Sequence, residues 1–270
     1  AGAFDENRGV AYGAKFVYSP TPAFNEESAL GVFNLHHSQG ARVHTNSWGN
    51  DATTQYDSLC RGIDAFMYAN EDDLVLIAVT NGTQLKNPEN CKNALAVGAC
   101  QDAPAQNSFC SGGVGPTADG RRKPEVFAPG CSIMSAQVNT LCSTIPLTGT
   151  SMACPAVAGV ATLMRQYFVD GYYPGGAANP SDGFTPSGAL LKAMVLNSTT
   201  DMLSHGSTIP NNSEGWGRVV ADSSVFLAGE SRRLFVRDVR NAGGMGTGGV
   251  VEIPLQVNSA SEPLRVTLAW

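Results

Sequence analysis

The sequence predicts an α/β fold built on a parallel sheet with helices on both faces, and three observations carry that prediction. From residue 11 to about residue 100, strand-like and helix-like segments alternate along the chain. The strand candidates Leu74–Val79 and Ala94–Ala99 are unbroken apolar runs, as strands covered on both faces require. Charged residues are only 15% of the 270 residues while glycine reaches 30, a composition suited to a large, turn-rich core.

Taken in order, Ala14–Ser19 reads as a first strand. Glu26–Gln39 follows as a helix with Leu30, Phe33 and His37 on one face and Gly40 as its stop. Arg42–Ser47 is the next strand, and Asp57–Asn70 is a helix whose Leu59, Ile63, Phe66 and Met67 form one stripe. The apolar runs 74–79 and 94–99 complete a βαβαβ pattern. Ligands of such sheets gather beyond the carboxyl ends of the strands, so the loops after Ser47 and Val79 carry the most information. A third helix starts near Ser151, with Val157, Val160, Ala161, Met164 and Phe168 at helical spacing and small Ala153, Ala156, Ala158 and Gly159 admitting close approach of the sheet. Past the Gly/Pro-rich residues 171–186, Ser187–Asn197 is a fourth helix. After residue 229 the texture changes to the strand-like Leu234–Val239, Val250–Val257 and Leu264–Trp270, which predict strands of another domain. The last run leaves a sheet edge unpaired, and both ends of the chain look cut.

Composition excludes several functions. The net charge is -6 and the densest basic cluster is Arg121-Arg122-Lys123, so nothing draws the chain to nucleic acid or to an anionic membrane surface. No apolar run is long enough to span a bilayer, and Ala1-Gly2-Ala3 is neither a signal peptide nor an initiator start, which suggests a processed or incomplete chain. The 7 cysteines lack zinc-type spacing, so disulfides plus one free thiol are expected, in an oxidising compartment. Sequons at Asn81, Asn197 and Asn211 are compatible with a eukaryotic secretory route.

The strongest local signal is Gly149-Thr150-Ser151-Met152-Ala153-Cys154-Pro155, where a glycine-led turn delivers a serine to the first turn of a small-residue helix. Orphan amides and the positive end of the helix dipole at such a place stabilise an oxyanion. A serine before a helix is more often a simple cap, so the heptapeptide gains weight from its company: Asn46-Ser47-Trp48-Gly49, Asn81 closing a buried strand, Gly115-Pro116-Thr117, and Lys123-Pro124-Glu125-Val126-Phe127-Ala128-Pro129-Gly130. The heptapeptide resembles the nucleophile motif of the subtilase family, and the other segments follow in that family's order. Gly215-Trp216-Gly217-Arg218-Val219 and the run from Pro263 to Trp270 resemble the subset with a β-sandwich, jelly-roll-like domain after the catalytic one.

The resemblance implies a subtilisin-like three-layer fold, with a partial catalytic domain over residues 1–229 and the first strands of a β-sandwich over residues 230–270. It implies a secreted serine endopeptidase acting on polypeptide substrates, with no cofactor needed for the chemistry. Calcium sites are frequent in the family, but no ligand set can be assigned from these residues. Ser151 is implied as the nucleophile, with Asn81 and the Ser151 backbone amide as oxyanion donors. Ser47, Trp48 and Gly49 are implied to bind substrate backbone as an added strand, and Ala78, Val79 and Thr80 are implied as further substrate-binding residues. Without the family, Asn81 reads as a turn residue or glycan acceptor and Trp48 as a core aromatic.

In this family the catalytic Asp and His precede the serine, and Gly9-Val10-Ala11-Tyr12-Gly13-Ala14 resembles the segment just after the histidine motif. Ala1-Gly2 then reads as the last scrap of the histidine helix, so an upstream segment is expected to supply both residues. His36, His37, His44 and His205 all read as structural. A rival order, Ser151, Asp201 and His205, is that of α/β-hydrolases, but the required Gly-x-Ser-x-Gly is broken by Ala153 and Pro146 interrupts the preceding run. Thr80 stands where the family has glycine, which predicts backbone strain and a crowded specificity pocket. Cys154 is expected to be a buried thiol. A pseudoprotease that keeps the cleft without the chemistry is the competing function, decided by the upstream sequence.

Overall fold

The computed structural model describes residues 7–202, 208–257, 259–261 and 263–270. Its helices start where short polar side chains satisfy amides that have no intrahelical partner. Asn25 accepts the Ser28 amide ahead of α1 (Glu26–Ser38), and Asp57 accepts those of Leu59 and Cys60 ahead of α2 (Ser58–Ala69). α3 (Thr150–Val169) begins at a glycine with no such cap, and Ser187 caps α4 (Gly188–Asn197) through the Leu190 amide.

The main sheet runs β1 (Val43–Asn46), β2 (Leu74–Ala78), β3 (Leu95–Cys100), β5 (Val126–Pro129), β9 (Arg218–Val219) and β8 (Thr199–Thr200). The pairs from β1 through β9 are parallel, β8 returns antiparallel, and β4 (Phe109–Ser111) pairs antiparallel with the end of β3. A separate antiparallel hairpin joins β6 (Ile133–Ala136) to β7 (Thr144–Leu147). Alternation along β2 assigns the layers. Leu74, Leu76 and Ala78 pack with Val157, Ala161, Met164 and Leu191 of α3 and α4, while Val75 and Ile77 pack with Phe33, Ile63 and Phe66 of α1 and α2. The expected α/β architecture, a parallel sheet between helical layers, is therefore present.

Three expectations fail. Ala14–Ser19 forms no strand: Phe16 and Tyr18 are each 90% exposed, no strand runs alongside, and Pro20 and Pro22 follow directly. The runs 234–239, 250–257 and 264–270 form no strand among the described residues either. Period-two alternation selects a strand only when a neighbour accepts its backbone hydrogen bonds, and among the described residues no strand pairs with these runs. Instead Leu234 and Val236 pack on the core, and Asp238 accepts the amide and hydroxyl of Ser187. The cysteines also depart from expectation, since Cys110–Cys131 is bridged while Cys60, Cys91, Cys100, Cys142 and Cys154 are thiols. Ala1-Gly2 and His205 lie outside the described residues.

Candidate active site

The carboxyl ends of β1 and β2 converge on the first turn of α3, and the sequence explains how. Pro155 has no N–H to give to the carbonyl of Ser151 four residues earlier, so that carbonyl is left open inside the helix. The Ser47 hydroxyl, just past β1, donates to it at 3.2 Å. One turn along, Cys154 receives the Thr45 hydroxyl at 3.5 Å, and its thiol lies 3.9 Å from the Asn46 carbonyl. β2 is tied in by Thr150, whose buried hydroxyl donates to the Val79 carbonyl at 2.5 Å.

Asn81 sits on top of this junction. Its Oδ1 accepts from the Thr150 amide at 3.0 Å and from the Ser111 hydroxyl at 2.9 Å, with the Thr150 Oγ1 3.2 Å away. With Oδ1 so occupied, the amide group is fixed in orientation and its Nδ2 remains as the donor. Gly149 is required for this approach: it has φ 151, and a Cβ there would stand 3.1 Å from Asn81 Oδ1. Ser151 is half-buried at the second position of α3, beside helix-terminal amides and the positive end of the dipole.

Two chain segments flank the junction. Ser47, Trp48 and Gly49 leave β1 with Ser47 exposed and Trp48 half-buried, stacked on Phe24 at 6.0 Å. Gly49 lies against the carbonyl of Asn87, which a Cβ would approach to 2.8 Å, and that same carbonyl accepts the Asn50 amide. On the other side Ala78, Val79 and Thr80 leave β2. The Thr80 amide donates to Glu89 Oε1 at 3.0 Å and its carbonyl accepts the Gly113 amide at 2.8 Å. Among the described residues only Ser132 and Asn139 are non-glycines with positive φ, so Thr80 occupies its position without the predicted strain. Glu89 is a site feature that sequence reasoning missed. It is 2% exposed, accepts the Lys86 amide as well, and burial raises its carboxyl above the ordinary range while the Thr80 and Lys86 amides partly oppose that rise.

The described histidines lie elsewhere. His44 Nε2 and His37 Nδ1 bond the two oxygens of buried Asp73 at 2.7 and 2.8 Å, and His36 bonds Ser19. Asp73 immediately precedes β2, at the end of the sheet opposite Ser151. Cys154 is fully buried as expected, and burial pushes its thiol up to about 11, which leaves it unreactive at neutral pH. The Lys123-Pro124-Glu125 stretch is structural. Lys123 Nζ meets Glu125 at 2.6 Å and donates to the Ala94 carbonyl, and Glu125 accepts the Ala96 amide, so the pair holds the start of β5 to β3. Among the described residues no three His, Cys, Asp or Glu side chains gather as a metal site, and no helix is long and apolar enough to cross a membrane.

Comparison with known proteins identifies the family and supports the fold. The family model described as "Subtilase family" matches residues 2–217. A "Serine protease/ABC transporter B family protein tagD" of Dictyostelium discoideum is 28% identical over 77% of this chain, and the match spans 18% of that relative. An "Alkaline proteinase" of Hapsidospora chrysogena is 27% identical over 62% of the chain and 34% of the relative. The chain thus spans well under half the length of these relatives. Among solved structures, the prenylagaramide maturation protease PagA superposes with a TM-score of 0.54 at 21% identity, covering 77% of this chain and 70% of that one, which supports the fold.

Proposed function

From the premise that the chain belongs to the subtilase family, we propose that it is the nucleophile-bearing part of a serine endopeptidase. Ser151 attacks the scissile carbonyl of a polypeptide, and Asn81 Nδ2 with the Ser151 backbone amide receives the oxyanion. The observation that carries this reading is the fixing of Asn81 by Thr150 and Ser111 beside the serine turn. That arrangement keeps a donor in place before any charge develops, which is how preorganised donors lower a barrier. Ser47–Gly49 and Ala78–Thr80 form the two edges against which an extended substrate pairs.

The serine needs a general base. Among the described residues His37 and His44 are held by Asp73 and His36 by Ser19, so in this reading the base and its orienting carboxylate come from a segment upstream of residue 1, without which the chain is inactive. The Cys110–Cys131 bridge supports a secretory or extracellular setting.

The test is reaction with a fluorophosphonate probe. The chain alone should label weakly, the chain joined to a subtilase segment carrying Asp and His should label strongly, and Ser151→Ala should abolish the signal. Labelling that survives Ser151→Ala would dismiss Ser151. Vigorous peptide hydrolysis by the chain alone would dismiss the upstream base.

A further inference from the structure

Two of the free thiols are neighbours. Cys60 lies in the first turn of α2 and Cys91 in the loop that leads into β3, and both are fully buried in the same apolar cluster. Cys91 Sγ is 3.7 Å from the Cys60 carbonyl. Cys60 Sγ in turn lies 2.9 Å from Asn90 Oδ1 and 3.9 Å from the Pro88 carbonyl, so it faces the residues just before Cys91. The surrounding backbone is also fixed by bonds to groups other than the thiols, although Asn87 Nδ2 lies 3.2 Å from Cys60 Sγ as well. Asn87 Nδ2 donates to the Gln55 carbonyl and to the Asp57 cap of α2, and Asn90 Nδ2 donates to the Thr54 carbonyl. The two segments therefore meet at this point whatever the sulfurs do.

We propose that Cys60 and Cys91 form a second disulfide, closing a loop that contains β2, Asn81 and the Thr80–Glu89 wall of the cleft. Each thiol gives up its hydrogen. Two protons and two electrons pass to a small-molecule disulfide, which is cleaved to two thiols, and the Sγ–Sγ bond forms. Since burial holds the Cys91 thiol protonated once the core has closed, exchange takes place during folding, while the thiols are still accessible. The crosslink has a consequence for the site. The 87–91 segment carries the Asn87 carbonyl that receives the Asn50 amide and abuts Gly49, so fixing it to α2 braces one edge of the cleft.

The experiment is to refold the chain in a glutathione redox buffer, alkylate without reduction, digest with trypsin and identify the linked peptides by mass spectrometry. The expected product joins the peptide 43–61 to the peptide 87–92 and separates on reduction. Recovery of both peptides singly alkylated, or linkage of either to a different cysteine, overturns the proposal. A second measurement does not depend on peptide recovery. A loop of about 30 residues implies that reduction lowers the melting temperature by about 10 °C more in the wild type than in the double variant Cys60→Ala/Cys91→Ala, which keeps the Cys110–Cys131 bridge. Equal shifts in the two proteins would refute it.

Discussion

Thr150→Val tests the junction on which the candidate site rests, and it can be read without any enzymatic activity. Thr150 is 1% exposed, and its hydroxyl gives the carbonyl of Val79, itself 1% exposed, a donor at 2.5 Å. Valine keeps the shape of threonine and the backbone amide that holds Asn81, but leaves that carbonyl without its hydroxyl partner. Stranding a buried acceptor costs about 1–3 kcal/mol. For a chain of this size that lowers the melting temperature by about 6 °C, taking the middle of the range. Serine keeps the hydroxyl and loses one methyl, worth about 0.8 kcal/mol. The expected order in thermal unfolding followed by circular dichroism is therefore wild type, then Thr150→Ser, then Thr150→Val. If Thr150→Val melted with the wild type, or Thr150→Ser melted below Thr150→Val, the hydroxyl would not be what joins β2 to α3.

Other outcomes follow from the same geometry. Asn81→Ala in the protein completed with Asp and His should slow fluorophosphonate labelling by about 100- to 1000-fold, the range known for oxyanion donors from subtilisin, itself a subtilase; unchanged labelling would remove Asn81 from the chemistry. Glu89 has its carboxyl raised above the ordinary 4.5, so its contribution to stability is full below that value and is lost as pH rises through the folded-state value. Glu89→Gln, whose amide oxygen can still accept from Thr80 and Lys86, should match the wild type in acid and gain on it towards neutral pH; a melting difference independent of pH would contradict this. If the Thr80 side chain crowds the specificity pocket, a peptide library cleaved by the completed enzyme should disfavour Phe and Tyr before the scissile bond, and Thr80→Gly should restore them. Persistence of the aromatic preference in the parent would end that reading.

The parallel sheet and its two helical layers were legible because burial writes itself into composition. β2 and β3 are apolar at every position, and the stripe on α2 names the face that meets β2. The alternation of the tail forms no strand among the described residues, for the complementary reason. Leu264, Val266 and Leu268 alternate as a strand would, yet they are 62–77% exposed, since alternation describes one edge and says nothing about whether a second edge lies beside it. The hairpin β6–β7 was lost to Pro146, which argues against a central strand but is tolerated in an isolated pair.

Within the candidate site, motif order pointed to Ser151 and Asn81, but not to what holds them. The partners of Asn81 lie 30 and 69 residues away at Ser111 and Thr150, and Glu89 contacts Thr80 only because the loop after Asn81 folds back. Hydrogen bonds between such distant residues leave no period in the sequence. The histidines show the same limit from the other side. Nothing in the spacing of His37 and His44 announces Asp73, 36 and 29 residues on, yet that one buried carboxylate holds both rings at the far end of the sheet. A subtilase serine without a free histidine beside it can bind and orient a peptide but cannot shed its proton. The chemistry proposed for Ser151 therefore turns on a contact that the described residues do not make with one another, and complementation by a segment carrying Asp and His is the measurement that decides it.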